Sequence, residues 1–131
     1  MPAYSFQKQF VPAVESGDKT HTIRAKRKHR PKPGQPFYGY YAQRTKQCRK
    51  LIQSTITRVQ DIVLSLNGEG DAECFVDGEQ LALDECEALA KRDGFESWER
   101  MASFWSGRYP FDGDLIHWKF LGKEKHARTK N

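Results

Sequence analysis

The spacing of apolar residues changes partway along the chain, and this change limits the fold more than any other feature. Between residues 20 and 76, short segments alternate apolar and polar side chains, which is the pattern of half-buried strands. From residue 81 the apolar residues recur every three or four positions, as in helices that bury one face. Residues 115–121 alternate again. This order predicts an α+β domain built on a small curled sheet or barrel.

The individual elements follow from the same periodicity and from turn residues. We expect about six strands and two or three flanking helices. Asp84 is the expected N-cap of the middle helix, and the three tryptophans are expected in the core. The predicted helices cover residues 8–16, 81–90 and 97–105; the predicted strands cover 20–24, 37–41, 50–59, 62–66, 72–76 and 115–121, with a turn at 107–113.

Charge is segregated along the 131 residues, whose net charge is +5. Residues 19–50 hold eleven Lys and Arg and no acid, whereas residues 61–99 hold twelve acids against Lys91 and Arg92. A basic segment followed by Phe37, Tyr38 and other aromatics suits nucleic acid, which offers phosphates to cations and bases to rings. The alternative is a solubilising basic loop beside aromatic residues of the core.

Other sequence features favour a cytoplasmic protein without a membrane span. The three cysteines have no CxxC spacing, which favours reduced thiols over a disulfide framework or zinc site. No apolar run is long enough to cross a bilayer, and the N-terminus lacks the pattern of a signal peptide. We expect no metal and no cofactor, because the histidines lack metal-ligand spacing and no nucleotide-binding fingerprint is present.

The residues that carry the most chemistry lie between Gly17 and Arg24. Lys19 and Arg24 can donate to phosphate or carbonyl oxygens, and Thr22 offers a hydroxyl that a lysine amine can activate. Asp93 could shuttle protons beside them. Lys19 and Thr22 have opposite strand parity, so they share a pocket only if Lys19 lies in the turn before the strand. Alternatively, Thr22 is an ordinary strand residue and Arg24 pairs with Asp93 or another acid as a structural clamp.

The spacing of Gly17, Lys19, Thr22 and Arg24 is GxKxxTxR, and it resembles the motif of ASCH domains, a family of PUA-like β-barrels. The context is also similar: Phe6 and a helix precede the motif, Lys32-Pro-Gly34-Gln follows it, and Asp93-Gly94-Phe95 resembles a family helix junction. The resemblance implies one PUA-like barrel over residues 4–121. The polar, basic composition of residues 122–131 predicts a flexible tail after it. Some ASCH members are amidohydrolases acting on N4-acetylcytidine, which by resemblance implies catalytic roles for Lys19, Thr22 and Asp93.

The leading hypothesis is therefore binding of RNA or a nucleotide-like ligand in a basic cleft beside the motif strand. The alternatives are an amidohydrolase on N4-acetylcytidine-type nucleosides, a ribonuclease and a protein-interaction module. The expected partner is RNA or a modified nucleoside, and a monomer is expected although the sequence leaves the oligomeric state open. The predicted ligand contacts are Arg24, His21, Lys26, Arg27, Lys28, Arg30, Lys32, Arg44 and Lys46.

Overall fold

The computed structural model describes residues 3–120, and these form seven strands and three α-helices. The α+β prediction is confirmed. The longest helix has ten residues, and none of the helices within the described range is long and apolar enough to cross a bilayer. In chain order the elements are β1 (Ala3–Phe6), a 3-10 turn (Lys8–Phe10), α1 (Val11–Ser16), β2 (His21–Ala25), β3 (Pro36–Tyr41), β4 (Arg49–Leu66), β5 (Ala72–Val76), β6 (Glu79–Gln80), α2 (Leu83–Arg92), α3 (Trp98–Phe104) and β7 (Phe111–Trp118).

Strand β4 is the centre of the sheet. Its first part pairs with β3, and its second part pairs with β5 and β7, all antiparallel. β1 extends the sheet beside β3, β2 extends it beside β7, and β6 pairs with β5. No backbone ladder joins β1 to β2 within residues 3–120, so the sheet is not closed and the predicted barrel is not confirmed.

Two arginine side chains connect β1 to the segment that contains β2. Arg24 Nη2 donates to the Ser5 carbonyl at 2.8 Å, and Arg27 Nη2 donates to the Ala3 carbonyl at 2.8 Å. Both guanidinium groups also lie over the Tyr4 ring, at 5.3 Å and 3.9 Å from its centroid. Charged side chains thus supply the contact that backbone hydrogen bonds would make in a closed sheet.

The core has two apolar clusters, one on each part of β4. The first is built around Phe37, Ile56 and Trp118, and the second around Leu64 and Met101. The half-buried rings of Phe95 and Phe104 pack against both clusters. The region between helices α2 and α3 therefore joins the two parts of the core, and it is beside this junction that the candidate site lies.

The structure corrects several predicted boundaries. The strands expected at residues 50–59 and 62–66 are one continuous strand, β4, with a register shift between Ile56 and Arg58. The prediction divided the strand at residues 60–61, whereas β4 passes from β3 to β7 between Thr55 and Ile56 and gains β5 as a further partner from Ile62. β1 and β6 were not predicted. Residues 111–113 belong to β7 rather than to a turn. Leu121 and the predicted tail at 122–131 lie outside the described residues.

The predicted N-cap of α2 is also wrong. The cap residue is Ala82, whose backbone N–H donates to the Glu85 carboxylate at 2.8 Å, and Asp84 lies inside the first turn. An acidic side chain stabilises the positive end of a helix both at the N-cap and in the first turn. The presence of Asp84 therefore does not show which of these two positions it occupies. Helix α3 is capped by Ser97, whose hydroxyl accepts from the Arg100 backbone N–H at 3.1 Å.

Candidate functional site

The motif begins at the end of α1 and continues into β2. Gly17 closes the helix with a left-handed φ of 88°, which a residue with a side chain rarely adopts. Lys19 follows in the turn, where its backbone N–H donates to the Ala13 carbonyl at 2.9 Å. Lys19 thus lies before β2, which begins at His21. This is the position that Lys19 needs if it is to share a pocket with Thr22.

Lys19 and Asp93 form a buried ion pair across 74 residues of sequence. Lys19 Nζ lies 2.5 Å from Asp93 Oδ1 and also donates to the Asp93 carbonyl at 2.8 Å. The two residues are only 2% and 5% exposed. Asp93 ends α2, and Gly94 after it has a φ of 100° and packs so closely on Phe10 that a Cβ atom would lie 2.9 Å from the ring. Gly94 therefore allows the chain to present Asp93 to Lys19.

Burial and mutual attraction set the protonation of this pair. Burial lowers the pKa of Lys19 below its ordinary value, and the Asp93 carboxylate only partly offsets this effect. Burial would raise the pKa of Asp93, but Lys19 and His21 together outweigh it and hold that pKa below its usual value. Asp93 is accordingly a carboxylate, while Lys19 loses its proton more readily than an exposed lysine.

Thr22 and Arg24 are joined by a hydrogen bond on β2. Arg24 Nε donates to Thr22 Oγ1 at 3.0 Å while Nη2 binds the Ser5 carbonyl. The guanidinium carbon of Arg24 lies 4.8 Å from the centroid of the Phe6 ring, which fixes its plane. Arg24 does not pair with Asp93, so the alternative of an Arg24–Asp93 clamp is wrong: Lys19 occupies that place.

All four groups line one half-open cavity of about 310 Å³, hereafter the central cavity. Lys19, Thr22, Arg24 and Asp93 form one part of its lining. Much of the remaining lining is aromatic, namely Phe6, Phe10, Phe95, Phe104, Trp105 and Phe111. An ammonium, a carboxylate, a hydroxyl and a guanidinium therefore face a space whose other walls suit a flat ring.

Residues after the motif complete this cavity, and the sequence did not reveal them. Trp105 was expected to be an ordinary core residue; it is buried but also lines the cavity. The Arg108 guanidinium lies 4.8 Å and 4.7 Å from the centroids of the Phe104 and Trp105 rings and donates to the Phe104 carbonyl at 2.9 Å. The sequence signal that could have identified these cavity residues is the spacing of Phe104, Trp105 and Arg108. Residues three or four positions apart at the end of a helix face the same direction.

His21 was predicted to contact the ligand, but it lies beside the Lys19–Asp93 ion pair and is not among the residues that line the central cavity. It is 1% exposed, and its Nε2 is 3.3 Å from Asp93 Oδ1 in a geometry outside that of a hydrogen bond. Strand pairing places it beside His117, with the ring centroids 5.5 Å apart. His117 Nε2 in turn lies 2.8 Å from Gln60 Oε1.

The half-buried position of His117 predicts a pH-dependent stability. Burial lowers the pKa of His117 from 6.5 to about 4, with smaller effects from His21 and Arg58. Between these values the unfolded chain binds a proton that the folded chain does not, so stability should fall as the pH falls through this window. We expect a loss of roughly 2–3 kcal/mol from pH 7 to pH 4, measured by urea unfolding.

His117→Gln should flatten that slope because glutamine does not titrate. His29→Gln is the matched control, since His29 is exposed and its replacement should leave the slope unchanged. Equal slopes in wild type and His117→Gln would contradict this assignment.

Of the five basic contacts predicted between residues 26 and 32, two are paired with acids that the fold brings to them. Lys26 pairs with Asp61 at 2.9 Å, and Arg30 pairs with Asp61 at 3.1 Å and with buried Asp114 at 3.0 Å. The positive segment is thus partly neutralised by the acidic half of the chain. Among the described residues, Lys28 and Lys32 are exposed and make no ion pair.

Arg44 and Lys46 lie in the exposed turn between β3 and β4 and are not among the residues that line the central cavity. Within residues 3–120, no group of three or more His, Cys, Asp or Glu side chains is arranged to hold a metal ion. Comparisons with protein-family models, with curated proteins and with solved structures find no match to this chain. The resemblance to ASCH domains therefore stays a prediction from the residues quoted for it.

Proposed function

We propose that this protein binds single-stranded RNA or a nucleotide-like ligand, with one base held in the central cavity. The observation that carries the proposal is the composition of the cavity, which combines aromatic walls with an ammonium, a hydroxyl and a guanidinium. Aromatic faces stack on any base, whereas donors such as Lys19 and Arg24 suit carbonyl and phosphate oxygens. The volume of about 310 Å³ lies at the lower end of the range for small-molecule sites, which suits one nucleoside.

We also propose that the open sheet belongs to the PUA-like class of small barrels. The support is the way in which Arg24 and Arg27 bridge from the β2 segment to β1 carbonyls. In this proposal the gap between β1 and β2 is functional, because Ser5, Thr22 and Arg24 beside it all line the central cavity.

The second candidate function is hydrolysis of an amide on a modified base such as N4-acetylcytidine. It is favoured by the lowered pKa of Lys19 in a cavity that also contains Thr22 and Asp93. A deprotonated Lys19 would take the proton of the Thr22 hydroxyl as its oxygen attacks the acetyl carbon, and the freed exocyclic amine would receive a proton through Asp93. The hydrogen bond from Arg24 Nε to Thr22 Oγ1 would stabilise negative charge on that oxygen. Water would then release acetate from Thr22.

A third possibility, a protein-interaction module, requires a contiguous exposed apolar surface. The large apolar side chains that are exposed within residues 3–120 are Leu66, Leu83 and Phe120, which lie at the end of β4, at the start of α2 and after β7. This distribution gives less support to an interaction surface than the central cavity gives to ligand binding.

One binding experiment tests the two candidate functions. Fluorescence anisotropy would follow a short single-stranded RNA that contains either cytidine or N4-acetylcytidine, across a range of salt concentrations. We expect binding at low salt with a log–log salt slope of about −0.7 for each phosphate contacted. Liquid chromatography of the RNA afterwards would show whether the acetyl group is lost, as the hydrolase requires. No binding at low salt would refute the first proposal.

Arg108→Gln and Arg100→Gln form a matched pair for this assay. Arg108 lines the cavity, whereas Arg100 is exposed on α3 and does not line it. Removing Arg108 should weaken RNA binding about five-fold through lost contacts with the bound base, on the order of one cation–π contact. Arg100→Gln should change affinity less than two-fold. Equal losses would show attraction by overall charge rather than binding in the cavity.

A further inference from the structure

A second concave site lies beside the loop that connects β2 to β3, and it is lined on one side by four consecutive basic or histidine residues, 27–30. The site has a volume of about 440 Å³, and no acidic residue lines it. Tyr4, Pro31, Gln35 and Pro36 complete the lining. We call it the loop pocket. A concave surface lined by cations and by no acid concentrates anions.

The cations of the loop pocket differ in how much charge they can offer. Arg30 is neutralised by Asp61 and Asp114. Arg27 makes no ion pair within residues 3–120; one of its nitrogens donates to the Ala3 carbonyl, and the others are left for a ligand. Lys28 is exposed and unpaired among the described residues. Two full positive charges therefore remain at the pocket.

The donors of the loop pocket are held in place before any ligand binds. The Arg27 guanidinium lies 3.9 Å from the centroid of the Tyr4 ring, and Tyr4 is buried. Gln35 Oε1 accepts from the Lys32 backbone N–H at 2.9 Å, so the amide nitrogen of Gln35 is the end left to donate. The loop itself is fixed to β4, since Gly34 N–H donates to the Ile56 carbonyl and Ile56 N–H donates to the Gln35 carbonyl, both at 2.8 Å. Preorganised donors lose little entropy on binding.

We propose that the loop pocket binds a terminal phosphate, that is, a phosphate monoester at the end of an RNA or on a mononucleotide. A planar guanidinium, an ammonium and an amide N–H group match the several oxygens of a phosphate. Two uncompensated cations suit a monoester, which carries nearly two negative charges, better than the single charge of an internal phosphodiester. The loop pocket is separate from the central cavity. Phosphate binding in the loop pocket therefore rests on the proposed RNA-binding function only for the identity of the molecule that carries the phosphate.

The test compares one RNA sequence carrying a 5′-phosphate, a 3′-phosphate or neither, in the anisotropy assay at constant ionic strength. We expect one of the phosphorylated forms to bind wild type about ten-fold more tightly than the unphosphorylated RNA, as one good charge-assisted contact provides. Lys28→Gln and Arg27→Gln should each remove most of that difference. Lys46→Gln, which removes an equally exposed charge that does not line the pocket, should preserve it.

A second measurement separates this proposal from the proposed function. Inorganic phosphate, titrated at constant ionic strength against chloride, should shift the backbone amide NMR signals of the non-proline residues between 27 and 35 in wild type and not in Lys28→Gln. If those signals shift while no RNA binds, the loop pocket stands and the RNA proposal fails. If RNA binds equally well with and without a terminal phosphate, the loop pocket proposal is overturned while RNA binding stands. An equal loss of the preference in Lys46→Gln would also overturn it.

Discussion

Asp93→Asn is expected to destabilise the protein by about 3–5 kcal/mol, because it leaves the Lys19 ammonium buried without a counter-charge. Lys19→Met should also destabilise, since it leaves the Asp93 carboxylate buried without its ammonium partner. The double variant Lys19→Met/Asp93→Asn should be less damaged than the sum of the two losses, as expected for groups in direct contact. Urea unfolding at pH 7 measures each value.

Lys26→Met is the matched control for this cycle. The Lys26 ammonium is also 2.9 Å from an aspartate, Asp61, but the two side chains are 46% and 49% exposed. Water and salt screen such a pair, so Lys26→Met should destabilise the protein far less than Lys19→Met. A loss below 1 kcal/mol for Asp93→Asn would mean that Lys19 sheds its proton or reaches water at little cost, and the buried ion pair would then not be a stabilising element.

Arg24→Lys should have the second largest effect although it preserves the positive charge. Arg24 uses two different nitrogens, Nε to Thr22 Oγ1 and Nη2 to the Ser5 carbonyl, and its plane lies over Phe6. A lysine ammonium cannot make this forked, stacked contact. We expect a loss of about 2–3 kcal/mol in stability, because a charge-assisted hydrogen bond in a largely buried site is lost. RNA affinity should fall about ten-fold, because Arg24 also lines the central cavity.

Arg27→Lys is the matched control for Arg24→Lys. It tests whether the loss of stability comes from the two hydrogen bonds of the Arg24 guanidinium or from replacing any arginine between β1 and β2. Arg27 also donates to a β1 carbonyl but is exposed, and it does not line the central cavity. We expect a loss of less than about 1 kcal/mol, which is typical of exposed positions. Similar losses for Arg24→Lys and Arg27→Lys, measured by thermal and urea unfolding, would refute a special role for Arg24.

Part of the candidate site could be read from the sequence because it is local. The motif residues Lys19, Thr22 and Arg24 lie within six positions, and strand parity already required Lys19 to precede the strand. Asp93 was named from its chemistry and from the family resemblance, and the fold brings it to Lys19. Trp105 was missed as a cavity residue because the apolar period it belongs to describes a buried helix face equally well. Arg108 was missed because it is an exposed cation beyond the end of α3.

The charges of the basic segment, residues 19–50, are less available in the folded protein than their order in the sequence predicts. A run of eleven cations without an acid predicted one strongly positive surface. The fold pairs four of the eleven cations with acids, among them Lys26 with Asp61 and Arg30 with Asp114. The segregation of charge along the sequence therefore pointed to the region that binds an anion in the proposals above. It overestimated how many of its cationic side chains are free to contact that anion.

The sequence by itself determined the α+β class, helices α2 and α3, the β4–β5 hairpin and the motif strand β2. These features depend on periodicity and turn residues within about ten positions, where side chains interact with their own backbone. The tertiary structure alone decided that β4 is continuous, that β1 joins the sheet, that His21 lies beside His117, and that Lys19 meets Asp93. Such contacts join residues that are far apart in the chain. Burial and strand pairing decide which residues meet, and the local sequence pattern contains no information about either.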